Sequence, residues 1–283
     1  MKDAYTKFAS CWRPWILILA QGIAFGQADP PIQDNSFLVE EAYNQDRGVV
    51  QHISAFSRMW NSKDWAFTLT QEFPGLRNPR HQFSYTLTDM HAGAFAGSGA
   101  GLGDLALNYR YQLVGGSSSR LAVSPRITFL APSGDATVGR GSGGAGAQLC
   151  LPVSLVLKPR LVSHWNVAGT LTRNARNQDG DRASTAGYSL GQSFVFLAHR
   201  RFNALVETTM SRFQTVTAPG KTEWARVLYV SPGIRWAHNF KSGLQIVPGI
   251  AMPVGVGSSA GERGLILYVS FESPFGWPYK RSN

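Results

Sequence analysis

Between positions 104 and 113 a large apolar residue recurs at every second position, and the positions between are polar apart from the small Ala106. Leu105, Leu107, Tyr109, Tyr111 and Leu113 share one parity, and Asp104, Ala106, Asn108, Arg110 and Gln112 share the other. Successive side chains of a strand point to opposite faces, so this spacing predicts a β-strand with one apolar and one polar surface. The alternation returns at 65–73, where Trp65, Phe67, Leu69 and Phe73 oppose Ala66, Thr68, Thr70 and Glu72, and again at 81–87. At 121–129, Arg126 and Thr128 oppose Val123, Ile127 and Phe129. At 147–157, Leu149, Leu151, Val153 and Leu155 oppose Gln148, Cys150, Pro152 and Ser154. Later strands are read at 160–172, 185–198, 201–212, 224–237, 244–253 and 263–275, with a weaker first strand at 49–59. The fold class is therefore all-β, with about 12 strands, an even number.

Alternation alone fits two architectures. In a soluble sandwich the apolar face is the core; in an outer-membrane barrel it meets lipid and the polar face lines the lumen. The connections favour the barrel. Extended polar stretches at 255–263, 215–223, 174–182, 132–144 and 91–103 alternate with tight turns at 239–243, 199–201 and 158–160. Long external loops and short periplasmic turns produce this rhythm, and an even strand count leaves both termini in the periplasm. The short connection at 61–64 departs from it and makes the first hairpin the least regular. Trp60, Trp65, Phe73, Trp165, Phe202, Phe213, Trp224, Trp236, Phe240 and Phe275 fall near predicted strand ends, where lipid meets water in such barrels. The expected fold is a single antiparallel transmembrane β-barrel over 49–275, followed by a tail at 276–283. The last strand carries Leu267, Val269, Phe271 and Phe275 on one parity, interrupted by Ser273, and resembles the terminal signal read by the outer-membrane assembly machinery.

The beginning of the chain fits that destination. Lys2, Lys7 and Arg13 precede a mostly apolar run at 15–25, and Gly26, Gln27 and Ala28 supply small residues for cleavage, so 1–28 reads as an export signal peptide. Its apolar run is about half the length a membrane-spanning helix needs. Mean hydropathy of −0.12, with no second long apolar run, excludes a helical membrane protein. Losing Lys2, Lys7, Arg13 and Asp3 lowers the formal charge from +10 to +8. That excess attracts anions such as lipopolysaccharide phosphates. Nucleic-acid binders concentrate such charge on one patch, whereas these arginines are spread from Arg47 to Arg281, so no nucleic-acid partner is expected. Cys11 lies in the leader and leaves Cys150 unpaired, so no intramolecular disulfide forms. The segment 29–48, with Glu40, Glu41, Asp46 and Arg47 before the first strand, is a periplasmic lead-in or an inward-folding plug; its polar composition favours the lead-in.

Chemical motifs weigh little. The GxGxxG pattern at 141–146 is followed by a strand, whereas a dinucleotide site needs a helix there. Gly220, Lys221 and Thr222 lack the glycine of a phosphate loop, and 177–181 lacks the distant bidentate glutamate of a calcium hand. The histidines and Cys150 have no metal-ligand spacing. No cofactor, metal or catalytic residue is expected. His164 and Asn166 share a face with Thr170 and Thr172 and invite comparison with barrel-wall lipases. Ser163 points the other way, however, and no nucleophile is evident within reach. The inward set is Glu72, Asp104, Arg110, Arg126, His164, Asn166, Glu207, Arg235 and Glu272. Such charges either line a watery solute path or pair across a filled interior.

The stretches VEEAYNQDRGVVQH (39–52), GLGDLALNYRYQL (101–113), SPRITFLAPSGD (124–135) and HWN (164–166) resemble the outer-membrane family described as "MetA-pathway of phenol degradation", transporter-like barrels. The resemblance implies a bacterial outer-membrane location, lipid and lipopolysaccharide as surroundings, and passive passage of small, hydrophobic or aromatic, solutes. The alternatives are a structural or adhesive barrel without transport and, behind it, an outer-membrane lipase.

Overall fold

The structure is a computed structural model that describes Ile32, 35–93, 99–117, 119–240 and 244–274. The expected leader, Phe275 and the tail at 276–283 lie outside the described residues.

Twelve antiparallel strands close into a barrel. In chain order they are Val49–Met59, Trp65–Pro74, His81–His91, Leu105–Tyr111, Arg126–Ala131, Gly146–Lys158, Leu161–Arg176, Arg182–His199, Phe202–Ala218, Lys221–Trp236, Gln245–Ala251 and Gly264–Pro274. Each pairs with the next, and the last pairs with the first from Val49 opposite Pro274 to Met59 opposite Gly264. Closure pairs every one of these strands on both sides, although the upper part of Lys221–Trp236, from Lys221 to Val227, has a ladder partner on one side only. The thinnest seam joins Lys221–Trp236 to Gln245–Ala251, where Gly233, Ile234 and Arg235 face Ala251, Ile250 and Gly249.

The distribution of side chains is inverted relative to a soluble protein. Arg235, Gln82, Glu207 and Asn203 are among the largest fully buried side chains, while Leu149 and Leu171 are each 66% exposed. On Leu105–Tyr111 the outward Leu107 is 45% exposed and the inward Asn108 and Arg110 are buried. A sandwich would bury the leucines. This arrangement instead presents an apolar belt to lipid and a polar interior.

Several predicted boundaries move. The stretch 215–223 is not an extended loop: Phe202–Ala218 and Lys221–Trp236 continue to within two residues of each other, and Gly220 takes the positive φ of the tight turn between them. The loop at 174–182 likewise shrinks to 177–181, because Leu161–Arg176 and Arg182–His199 run through its ends. Polar Thr, Ser and Arg residues mark this extension as a wall standing in water, and strand pairing in water needs no apolar face to continue from a strand already formed. The predicted strand at 121–129 is interrupted instead. Leu121–Val123 and Arg126–Ala131 flank Ser124 and Pro125, and proline has no N–H for a ladder.

Candidate functional site

The residues just before the first strand enter the ring. The segment 35–48 forms no strand or helix, so its backbone groups need partners once buried. Inward side chains around the barrel supply them. Glu207 Oε1 accepts the N–H groups of Leu38 and Val39, both at 2.9 Å. Asn166 accepts from Glu40 N at 2.8 Å and donates to Glu40 O at 2.9 Å, imitating a strand neighbour. Ser154 Oγ accepts from Ala42 N at 2.7 Å, Gln112 Oε1 from Asn44 N at 2.9 Å and Gln82 Oε1 from Gln45 N at 2.8 Å. Ser124 Oγ and Gln112 Nε2 donate to Ala42 O, and Arg110 donates to the carbonyls of Glu41 and Tyr43. The polar composition that favours a lead-in is also the composition that a hydrogen-bonding interior requires: residues 35–45 are bonded to inward side chains, while Asp46 and Arg47 are exposed.

An aromatic anchor accompanies these bonds. Phe37 is buried beside Tyr268 and packs against Gly233 and Gly249, across the thin seam. A Cβ at either glycine would overlap the Phe37 ring. The small residues therefore let the wall accept the segment at the place where strand pairing is weakest.

The inward charges fall into two groups. Arg110, Arg126 and Glu72 converge with Glu40 of the entering segment: Arg126 pairs with Glu40 at 2.8 Å, and Arg110 lies 3.7 Å from Glu72 and 4.0 Å from Glu40. Across the lumen, Glu207, Asn166 and Arg235 hold the segment from the other wall, with Arg235 donating to Asn35 O, while His164 reaches it only through Ser154. Glu272 stays at the end of the barrel that carries the first and last strand termini, in register with Gln51, whose other neighbour is Glu72. Asp104 is not brought to the lumen charges. It sits at the outer rim and accepts from Gly134 N, Ser142 N and Ser142 Oγ at 2.7–3.0 Å, tying down the loop at 132–144.

Beside the segment a cavity of about 160 Å³ remains, lined by Thr68, Thr70, Ser84, Thr86, Asn108 and the charged cluster. The interior is filled by chain on one side and bordered on the other by the hydroxyl groups of Thr68, Thr70, Ser84 and Thr86. The hydroxyl side was present in the alternating pattern. The partnership of 35–48 with it was not, because Leu38 and Glu207 are separated by 169 positions and no local spacing encodes such a contact.

His164 finds a partner that adjacency in sequence could not nominate. Ser154 Oγ lies 2.8 Å from His164 Nδ1. Both are buried, the hydroxyl already accepts from Ala42 N, and Asn166 is committed to Glu40 rather than to the imidazole. The pair has the distance of a nucleophile and base, but both groups are buried, and among the described residues no carboxylate or amide orients the ring. Among the described residues no cluster of three metal-ligating side chains occurs. The stretch 177–181 uses Asn177 Oδ1 to accept Asp181 N at 2.8 Å, which spends a would-be calcium ligand on closing the turn.

No family model and no curated protein matches the chain. Solved structures match its fold. A COG4313 outer membrane channel from Pseudomonas putida F1 superimposes with a TM-score of 0.59 at 11% identity, over 83% of this chain and 98% of that one. The NanC porin superimposes with a TM-score of 0.53 at 11% identity, over 78% and 98%. At such identity the likeness concerns the barrel alone; both are porin or channel barrels rather than enzymes.

Proposed function

We propose that this chain is a bacterial outer-membrane channel for passive passage of small solutes, narrowed by its own residues 35–48. The observation that carries the reading is the partly filled lumen: a polar interior holding residues 35–45 on one wall and leaving a hydroxyl-lined space beside them. The outward apolar belt and the porin-like barrels it superimposes on support the location.

The dimensions bound the cargo. A space of about 160 Å³ is comparable to the roughly 150 Å³ that holds a benzene ring in an engineered protein cavity. Single-ring solutes fit while the segment stays in place, and larger ones require it to move. Opposite charges pair within the cluster, so neither sign dominates the path. This favours neutral or weakly charged solutes, and the motif resemblance to the phenol-degradation family adds aromatic ones to that class. Swelling of liposomes containing the purified protein, with uncharged solutes graded in size, tests the proposal. Entry should fall sharply beyond one ring, and no entry of any solute would refute it.

A second reading has its own support. The ion pairs of Arg126 with Glu40 and of Arg110 with Glu72 are those of a sealed interior, which suits a structural or adhesive barrel without transport. The same swelling experiment separates the two.

A further inference from the structure

On the outer wall, Arg212 of Phe202–Ala218 and Arg226 of Lys221–Trp236 are direct cross-strand partners. Their parity is that of Phe202, Val206, Ile234 and Leu228, opposite to the inward Asn203, Glu207, Ser231 and Arg235, so both point away from the lumen and both are exposed. Like charges placed opposite one another on antiparallel strands repel. Among the described residues neither has a carboxylate within ion-pairing distance. The Arg212 guanidinium lies over the Trp224 ring, 4.9 Å from its centroid, and Tyr188 stands beside that ring at 6.4 Å. One guanidinium is therefore fixed in place by a stacking contact that leaves its N–H groups free to donate.

The height of the pair is informative. Below it, the outward positions of these two strands carry no charge down to Phe202 and Trp236, at the end of the barrel that carries its termini. Ten residues, at about 3.3 Å each along a strand tilted by roughly 40°, climb about 25 Å, the height of the apolar band of a transmembrane barrel. Arg212 and Arg226 are thus the first charges above the hydrocarbon, on the face turned toward lipid. Both termini of the barrel lie at the opposite end, so this is the outer leaflet if the termini are periplasmic.

We infer that Arg212 and Arg226, with Trp224 and Tyr188, form a binding site for a lipid A phosphate of lipopolysaccharide. A phosphate between the two guanidinia converts their repulsion into paired charge-assisted hydrogen bonds. Tyr188 is level with Arg212, and Trp224 stands two residues farther from the apolar band than Arg226, so both rings lie at head-group height, where they can pack against sugar. The site rests on the outer-membrane location and is independent of conduction.

The test uses the folded full-length barrel in detergent with bisphosphorylated lipid A as probe, bound complexes being counted by native mass spectrometry. Wild type should retain lipid A, and the Arg212→Gln/Arg226→Gln variant should bind it at least about tenfold more weakly, the scale of one lost charged hydrogen bond. Dephosphorylated lipid A, phosphatidylglycerol and inorganic phosphate should each compete poorly. Equal retention by the double variant, or equal binding of any of those three probes, would overturn the site. Boiled and unboiled gel mobility checks that the variant is folded; if the double variant does not assemble, Arg226→Gln alone carries the same expectation. A barrel that binds lipid A but conducts nothing would refute the channel and leave this site standing.

Discussion

Glu207 Oε1 accepts the backbone N–H of Val39 at 2.9 Å, bridging 168 positions of sequence across the lumen, and the same oxygen accepts from Leu38. Removing that carboxylate leaves two donors in the interior, each costing about 1–3 kcal/mol if left unsatisfied. Glu207→Ala should therefore release the segment, seen as faster limited proteolysis within 35–48, whereas Glu207→Gln keeps an acceptor oxygen and should resemble wild type. Equal cleavage of all three proteins would mean that the segment is held by other contacts.

Arg126 and Arg110 share Glu40 as a counter-charge beside the cavity. Glu40→Gln removes that charge while preserving the backbone bonds to Asn166, so the path becomes net cationic. The reversal potential across a salt gradient should shift toward anion selectivity. An unchanged potential would indicate that ions do not pass this cluster.

Leu107 faces outward and Ala106 faces Thr86 and Leu130 in neighbouring strands, on the lumen parity. Leu107→Arg places a charge against lipid at a cost of roughly 2–4 kcal/mol near the midplane, and Ala106→Arg places it among polar groups. Urea titration of folding into vesicles should show the larger loss for Leu107→Arg. The reverse order would contradict the faces assigned to this strand.

At the outer rim Glu262 ties the first hairpin to the last long loop. Burial pushes its carboxyl up, but N–H groups of Asn61, Ser62 and Arg263 donate to it and outweigh that effect, so its pKa is lowered. A depressed carboxyl contributes stability above its ordinary value, about 4.5, and loses it as pH falls through the depressed one. Amide exchange at Asn61 and Ser62, corrected for intrinsic rates, should accelerate over that acidic range in wild type. In Glu262→Gln it should be faster at neutral pH and insensitive to acid. Parallel profiles would exclude the tie.

What sequence makes legible here is whatever repeats locally. Leu107 against Arg110 and Leu149 against Cys150 reveal the faces, and Asn108, Arg110, Gln112 and Glu207 emerge as inward residues because period two is a property of one strand. Three things escape it. The extent of Phe202–Ala218 is hidden because a water-exposed wall has no apolar face to alternate. The placement of Glu40 against Arg126 and of Ala42 against Ser154 is hidden because closure of the ring, not spacing, brings them together. Asp104 keeps the inward parity yet serves the outer loop, since parity fixes a direction and not a height.

Single-channel conductance in planar bilayers, comparing the folded wild-type barrel with a variant lacking 35–45, measures the claim that this segment narrows an open path. The wild type should give small steps, and the shortened barrel should give steps several-fold larger, with both proteins retaining the boiled and unboiled gel shift of a folded barrel. Silence from both folded proteins, or identical steps, would contradict the account.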